Sequence, residues 1–185
     1  MEQFWEESVS KRNPLLQNAL FALANVMMVG FGAVAMITLY SLTAVIGNEG
    51  FGPSFFLTVA EILLFGGCAA LLFFQRDKLK TEFDYTFTAG QMDFAMIFNN
   101  KSRKGLGTLN LRNVDACGLV SSGSFQRYVS MRDIKHSHWF VNRDAELLFF
   151  FFQKEGKKRM IVIEPSEKMV GLIKKSLSPG VWQNN

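Results

Sequence analysis

From Leu16 to Gln75 the chain runs sixty residues without a Lys or Arg, and its only acids there are Glu49 and Glu61. A helix of a soluble protein needs one polar face, and this stretch offers none. The remainder is different: Arg76 to Asn185 carries 18 Lys and Arg against 11 Asp and Glu, a net +7, while the first fifteen residues carry a net −1. The overall charge of +4 and the 49% hydrophobic content therefore average a membrane-like block and a basic soluble block. That split excludes a single soluble globule and an intrinsically disordered chain, and two cysteines exclude a disulfide scaffold.

Asn18–Gly47 contains no charged residue, and Phe55–Phe74 contains only Glu61. Each reaches the roughly 20 apolar residues that span about 30 Å of hydrocarbon. The segment between them, GNEGFGPS, is dense in turn-forming residues, so a two-helix transmembrane hairpin is expected. A cleaved signal has an apolar stretch of only about 7–15 residues, and here a second span follows. Lys11 and Arg12 precede the first span and Arg76, Lys78 and Lys80 follow the second, whereas the turn has no basic residue. The positive-inside rule places both termini in the cytoplasm of a two-span cell-membrane protein. Glu61 is an intramembrane acid, costly and hence a functional candidate. The plainer readings are that it reaches the outer interface, is protonated, or bonds to Asn25, Ser41 or Thr43. Gly66 and Ala70 form a small-xxx-small pair suited to helix packing, on the first helix or on another copy. Cys68 reads as a small apolar filler.

From Glu82 the hydrophobic period changes to two. Phe83, Tyr85 and Phe87 alternate with polar residues, as in a half-buried strand. Further strands are expected at Met92–Phe98, GLGTLNL and VDACGLV. FQRYVSM reads as a weak strand, Arg132–His138 as a polar loop, and Trp139–Val141 as the start of another strand. AELLFFFFQ (145–153) suits a strand buried on both faces. A turn at 154–158 leads to RMIVI, and SEKMVGLIKKS forms a short amphipathic helix with Lys174 and Lys175 in its last turn, where cations favour the helix dipole. The expected class is α+β: an α-hairpin, then an antiparallel sheet or barrel of six to seven strands with a C-terminal helix.

Several segments, EFDYTFTAGQMDF, NNKSRKG, LNLRNVDACG and LLFFFFQKEGKKRMIVIEPSEKMVGLIKK, make this pattern resemble a pleckstrin-homology-like (PH-like) barrel, whose terminal helix plugs one open end of the sheet. With the hairpin, the chain resembles small bacterial two-helix membrane proteins carrying a C-terminal bacterial PH-like domain, a largely uncharacterised group. The resemblance covers Glu82–Leu177 plus the hairpin and implies fold rather than activity. The expected organisation is an N-terminal cytoplasmic segment (1–17), the hairpin (18–75), a linker (76–81), the PH-like domain (82–177) and a tail (178–185).

No catalytic constellation is visible. Gly105-Leu106-Gly107 lacks the third glycine of a dinucleotide site, and no phosphate loop occurs. His136 and His138 could join a metal site only with Cys117 and Asp133, and no spacing links these four. Cys117 beside a histidine could make a nucleophile pair, but a lone Cys in a strand reads as core. No cofactor or metal is expected, and no enzymatic activity. The clearest functional sign is charge: Lys101, Arg103 and Lys104 on one turn, and Lys154, Lys157, Lys158 and Arg159 on another, suited to anionic lipid head groups at the bilayer surface or to plain solubility. Nucleic acid is not an expected partner. The sequence therefore points to a membrane-anchored, non-enzymatic PH-like module that binds a protein partner, another copy or the anionic surface. The alternative is a small subunit of a transport or envelope-maintenance complex in which the hairpin makes the functional contacts.

Overall fold

In a computed structural model, residues 4–183 are described. Residues 1–3 and 184–185, the outermost parts of the expected N-terminal segment and tail, lie outside the described residues. The chain forms two compact units, one from residues 13–80 and one from residues 1–12 with 81–185.

The first unit is helical. Helix α1 runs Leu15–Glu49 and α2 runs Pro53–Gln75, slightly longer at both ends than the apolar runs. At 1.5 Å per residue they are about 52 and 35 Å long. Gly50 ends α1 with φ +64°, a conformation that costs glycine little. Pro53 opens α2 at a first-turn position, where its missing N–H is no loss. Both helices are long and apolar enough to cross a membrane. Ala24 is their only buried residue, the reverse of a soluble core helix. They meet through contacts such as Phe31 with Phe65, whose ring centroids lie 6.0 Å apart. At the basic end, Arg76 donates to the Asn25 Oδ1 and Lys80 Nζ sits 4.6 Å from the centre of the Phe21 ring. These long side chains bury their stems against apolar surface while the charge stays at the helix ends.

The second unit packs two sheets. Sheet A comprises β1 (Phe4–Val9), β2 (Thr81–Thr88), β3 (Gln91–Phe98) and β4 (Ser102–Asn110), antiparallel and in that spatial order. The other elements are β5 (Ala116–Leu119), α3 (Gly123–Val129), β6 (Ile134–Trp139), β7 (Leu148–Lys154), β8 (Lys157–Ile163), α4 (Glu167–Ser176) and β9 (Trp182–Gln183). Sheet B has the order β6-β8-β7-β5-β9. It is mixed, because β6 runs parallel to β8 and β9 parallel to β5. The core lies between the sheets, where Phe83, Tyr85, Phe87, Met92 and Phe94 meet Leu148, Phe150, Ile161 and Ile163, with Met169 and Ile173 of α4. Ser166 caps α4 by accepting from the Met169 N–H at 3.2 Å, satisfying one of the helix's orphan donors.

Four expectations are corrected. Among the described residues the sheets hold nine strands, not six or seven, and they do not join into a closed barrel. The N-terminal segment supplies β1, pairing Trp5 with Phe87 and Val9 with Phe83. FQRYV of the FQRYVSM segment belongs to helix α3, not to a strand. Phe125, Tyr128 and Val129, at helical i, i+3, i+4 spacing, cover the outer face of sheet B, with Tyr128 4.9 Å from Phe151 and Phe125 5.5 Å from Phe149 between ring centroids. Arg132–His138 is largely strand β6, which ends at Trp139 where a new strand was expected to begin. Its partner β8 is more than twenty residues away, so local pattern gave little sign of it.

Candidate functional site

The β7–β8 hairpin turns through Glu155 and Gly156, with φ of +55° and +71°, the left-handed pair that two-residue hairpins favour. Lys154 opposes Lys157, Gln153 opposes Lys158, and Phe152 opposes Arg159. Opposed residues share a face and faces alternate. Phe152 and Phe150 point to the inter-sheet core, so Lys154, Lys157 and Arg159 continue that inner face beyond the apolar core. Lys158 lies on the other face. Lys135 of β6 is aligned with Arg159 and joins the inner-face cations.

Lys135 was missed in the sequence because its segment reads as a loop. The available signal was the alternation in IKHSHW, which separates Lys135, Ser137 and Trp139 from Ile134, His136 and His138. The second expected basic cluster lies on sheet A, at the start of β4 and in the turn before it. Arg103 lies 3.6 Å from Asp84, which is only 6% exposed, and 3.9 Å from Glu6, so acids on the outer face of sheet A offset its charge. Lys104 is exposed opposite Met96, and Lys101 is exposed in the β3–β4 turn.

His136 and His138 stack at 6.3 Å between ring centroids. Among the described residues no group of three or more metal-ligating side chains occurs. Cys117 is fully buried on β5. Strands β8 and β7 separate β5 from β6, so at about 4.8 Å per strand the thiol lies roughly 14 Å from the histidine strand, too far for a nucleophile pair. Burial pushes the Cys117 thiol up, far from the thiolate form, and the thiolate is the reactive species. Cys117 is therefore expected to escape alkylation by iodoacetamide at pH 8 until the protein is denatured, as read by peptide mass spectrometry; rapid native labelling would contradict this placement.

In the helical unit, Glu61 is exposed on α2. The three side chains considered as its partners are otherwise engaged: Asn25 with the Phe21 carbonyl and Arg76, Ser41 with the Thr38 carbonyl, and Thr43 with the Tyr40 carbonyl. A methyl group added at Gly66 would meet nothing within 4 Å, and Ala70 is exposed, so the small-residue pair is not what brings α2 against α1.

Comparison with curated proteins and with solved structures found no match. The family model described as Bacterial PH-like domain (DUF6106) matches residues 1–183. The match is not confined to a C-terminal part, as the resemblance suggested, but takes in β1 and both long helices. That extent agrees with the fold, in which the segment before the helices and the segment after them build one sheet. The chain belongs to the bacterial PH-like domain family.

Proposed function

We propose that the protein is a non-enzymatic, membrane-anchored PH-like module that rests its basic β7–β8 end on the anionic cytoplasmic surface of the membrane. The observation that carries this reading is the gathering of Lys154, Lys157, Lys158 and Arg159 on one hairpin, with Lys135 beside them and Glu155 as the turn's only acid. Each basic residue near an anionic leaflet contributes about 1 kcal/mol, decaying within a Debye length. A few such charges bind weakly in free solution. Covalent attachment to a membrane hairpin raises their effective concentration at the surface, and weak attraction then suffices. Both termini lie in the cytoplasm in this reading, following the basic residues that flank the two spans.

The test places a fluorophore at Gln153→Cys in a Cys68→Ser background of the full chain, reconstituted in nanodiscs. Shielding from an aqueous quencher is expected with 30% phosphatidylglycerol and not with phosphatidylcholine alone. It should fall at 0.5 M salt and in Lys157→Gln/Lys158→Gln. Equal shielding in both lipids would overturn the reading, and shielding only after addition of cell extract would point to a protein partner instead.

A second reading, a small subunit of a transport or envelope-maintenance complex, is favoured by one observation. Glu61, Gly66 and Ala70 have no partner in the neighbouring helix that accounts for them. In that reading they meet another membrane helix, from a different protein or a second copy.

A further inference from the structure

Sheets A and B come together at a seam between β4 and β6, whose edges are not paired with each other. A cleft of about 180 Å³ opens there. Its polar wall is Lys135, Ser137, Lys154 and Arg159, its apolar floor includes Phe94 and Trp139, and no carboxylate lines it. The Phe94 and Trp139 rings lie 4.9 Å apart between centroids, which makes the floor rigid and low in dielectric. On the β4 side the pairing skips from Gly107 opposite Phe94 to Gly105 opposite Ala95, leaving Leu106 as a bulge at the cleft. Bulges are common where a strand is re-aimed beside a site.

Arg159 gives the cleft its chemistry. Its Nε atom is buried and has no hydrogen-bond partner in the protein, although a buried polar group normally has one. Three cations face this small volume with no acid among its lining residues, and low-dielectric walls focus their field.

We infer that this cleft is a binding site for a single phosphate ester group, held by the Arg159 guanidinium with Lys135 and Lys154. A planar guanidinium matches phosphate oxygens by paired N–H donors. The cleft offers about 180 Å³. It is smaller than the 300–1,000 Å³ typical of sites for whole small molecules, so it takes a head group and not a nucleotide. The inference rests on the same basic end as the surface reading and deepens it, from diffuse attraction to one stereospecific contact. The phosphate ester can belong to a lipid head group or to a soluble metabolite.

The test titrates inorganic phosphate and glycerol 1-phosphate into the full chain in phosphatidylcholine nanodiscs at fixed ionic strength, by calorimetry. Saturable one-to-one binding is expected. Arg159→Gln should weaken it at least tenfold, and Arg159→Lys, which keeps charge and most of the stem but loses Nε–H, at least threefold. Lys175→Gln, exposed on α4 and outside the lining of the cleft, should change it less than twofold. Absence of saturable binding, or equal losses in Arg159→Gln and Lys175→Gln, would overturn the inference. Repeating the titration with 30% phosphatidylglycerol separates the sources: a weaker apparent affinity means the lipid head group occupies the cleft, and an unchanged one means a soluble ester does. Fluorophore shielding that survives Arg159→Gln while phosphate binding is lost shows that the surface reading stands on other residues. Phosphate binding without lipid-dependent shielding shows the reverse.

Discussion

Replacing Asn142 by Ala is expected to destabilise the β unit by about 2–4 kcal/mol and to release strand β1 before the rest of the sheet. Asn142 is 6% exposed, and its backbone N–H and both side-chain polar atoms are bonded. Its backbone N–H donates to Glu164 at 2.9 Å. Its side-chain amide donates to the other Glu164 oxygen at 2.8 Å and to the Ser10 carbonyl at 3.0 Å. Its side-chain oxygen accepts from the Arg12 N–H at 2.9 Å. Glu164 is itself 7% exposed, and Arg12 approaches it only at 3.9 Å. Alanine would leave a buried carboxylate short of a donor, which costs more than the net value of the bonds removed. It would also free residues 10–12 from the loop that holds them.

Hydrogen exchange on the full chain in detergent provides the check. Amides of Phe4–Val9 should exchange many-fold faster in Asn142→Ala, while those of β7 and β8 change little. Asp144→Ala is the control. Asp144 also faces Arg12 at 3.9 Å, but both groups are largely exposed, and such pairs contribute little. Uniform acceleration over the whole unit, or none at β1, would show that Asn142 does not clamp the N-terminal strand.

The second large effect is expected in the Phe149–Phe152 run. Phe149 and Phe150 are adjacent and both fully buried, which a strand allows only if both faces of its sheet are covered. Phe150 faces sheet A, and Phe149 faces Phe125 and Tyr128 of α3. Either residue changed to Ala should cost about 3–5 kcal/mol, from lost transfer energy and the cavity left behind. That is a large part of the roughly 5–15 kcal/mol that stabilises a domain. Trp5, Trp139 and Trp182 are the chain's three tryptophans, all in the β unit, so their fluorescence in a denaturant titration follows this unit and not the helices. A cost under 1 kcal/mol for Phe149→Ala alone would mean that α3 does not seal the outer face.

The readable parts of the fold are those whose cause is local. The spans of α1 and α2 follow from sixty residues without a basic group. Strands β2 and β3 follow from alternation, β7 from a continuous apolar run, and helix α4 from amphipathic spacing, patterns that their neighbours do not disturb. Segments whose structure depends on distant partners were misread. β1 reads only as a segment before the first span, because FWEESV alternates weakly and its partner β2 lies beyond both long helices. β6 looks like a polar loop, because its register is set by β8. α3 carries helical spacing over only seven residues, too short to outweigh its β-branched and aromatic content.

The candidate site divides in the same way. Sequence alone determined that the chain has two long apolar segments followed by a basic domain, and that Lys154, Lys157, Lys158 and Arg159 crowd one turn. Charge and hydropathy are properties of residues, and chain order preserves them. Only the tertiary structure decided which cations act together. It set Lys135 beside Arg159 through a parallel pairing, turned Arg103 toward Asp84 and Glu6, and left the Arg159 Nε buried without a partner in the protein. Those choices depend on strand register across long sequence separations, and a one-residue shift would send each of these side chains to the opposite face.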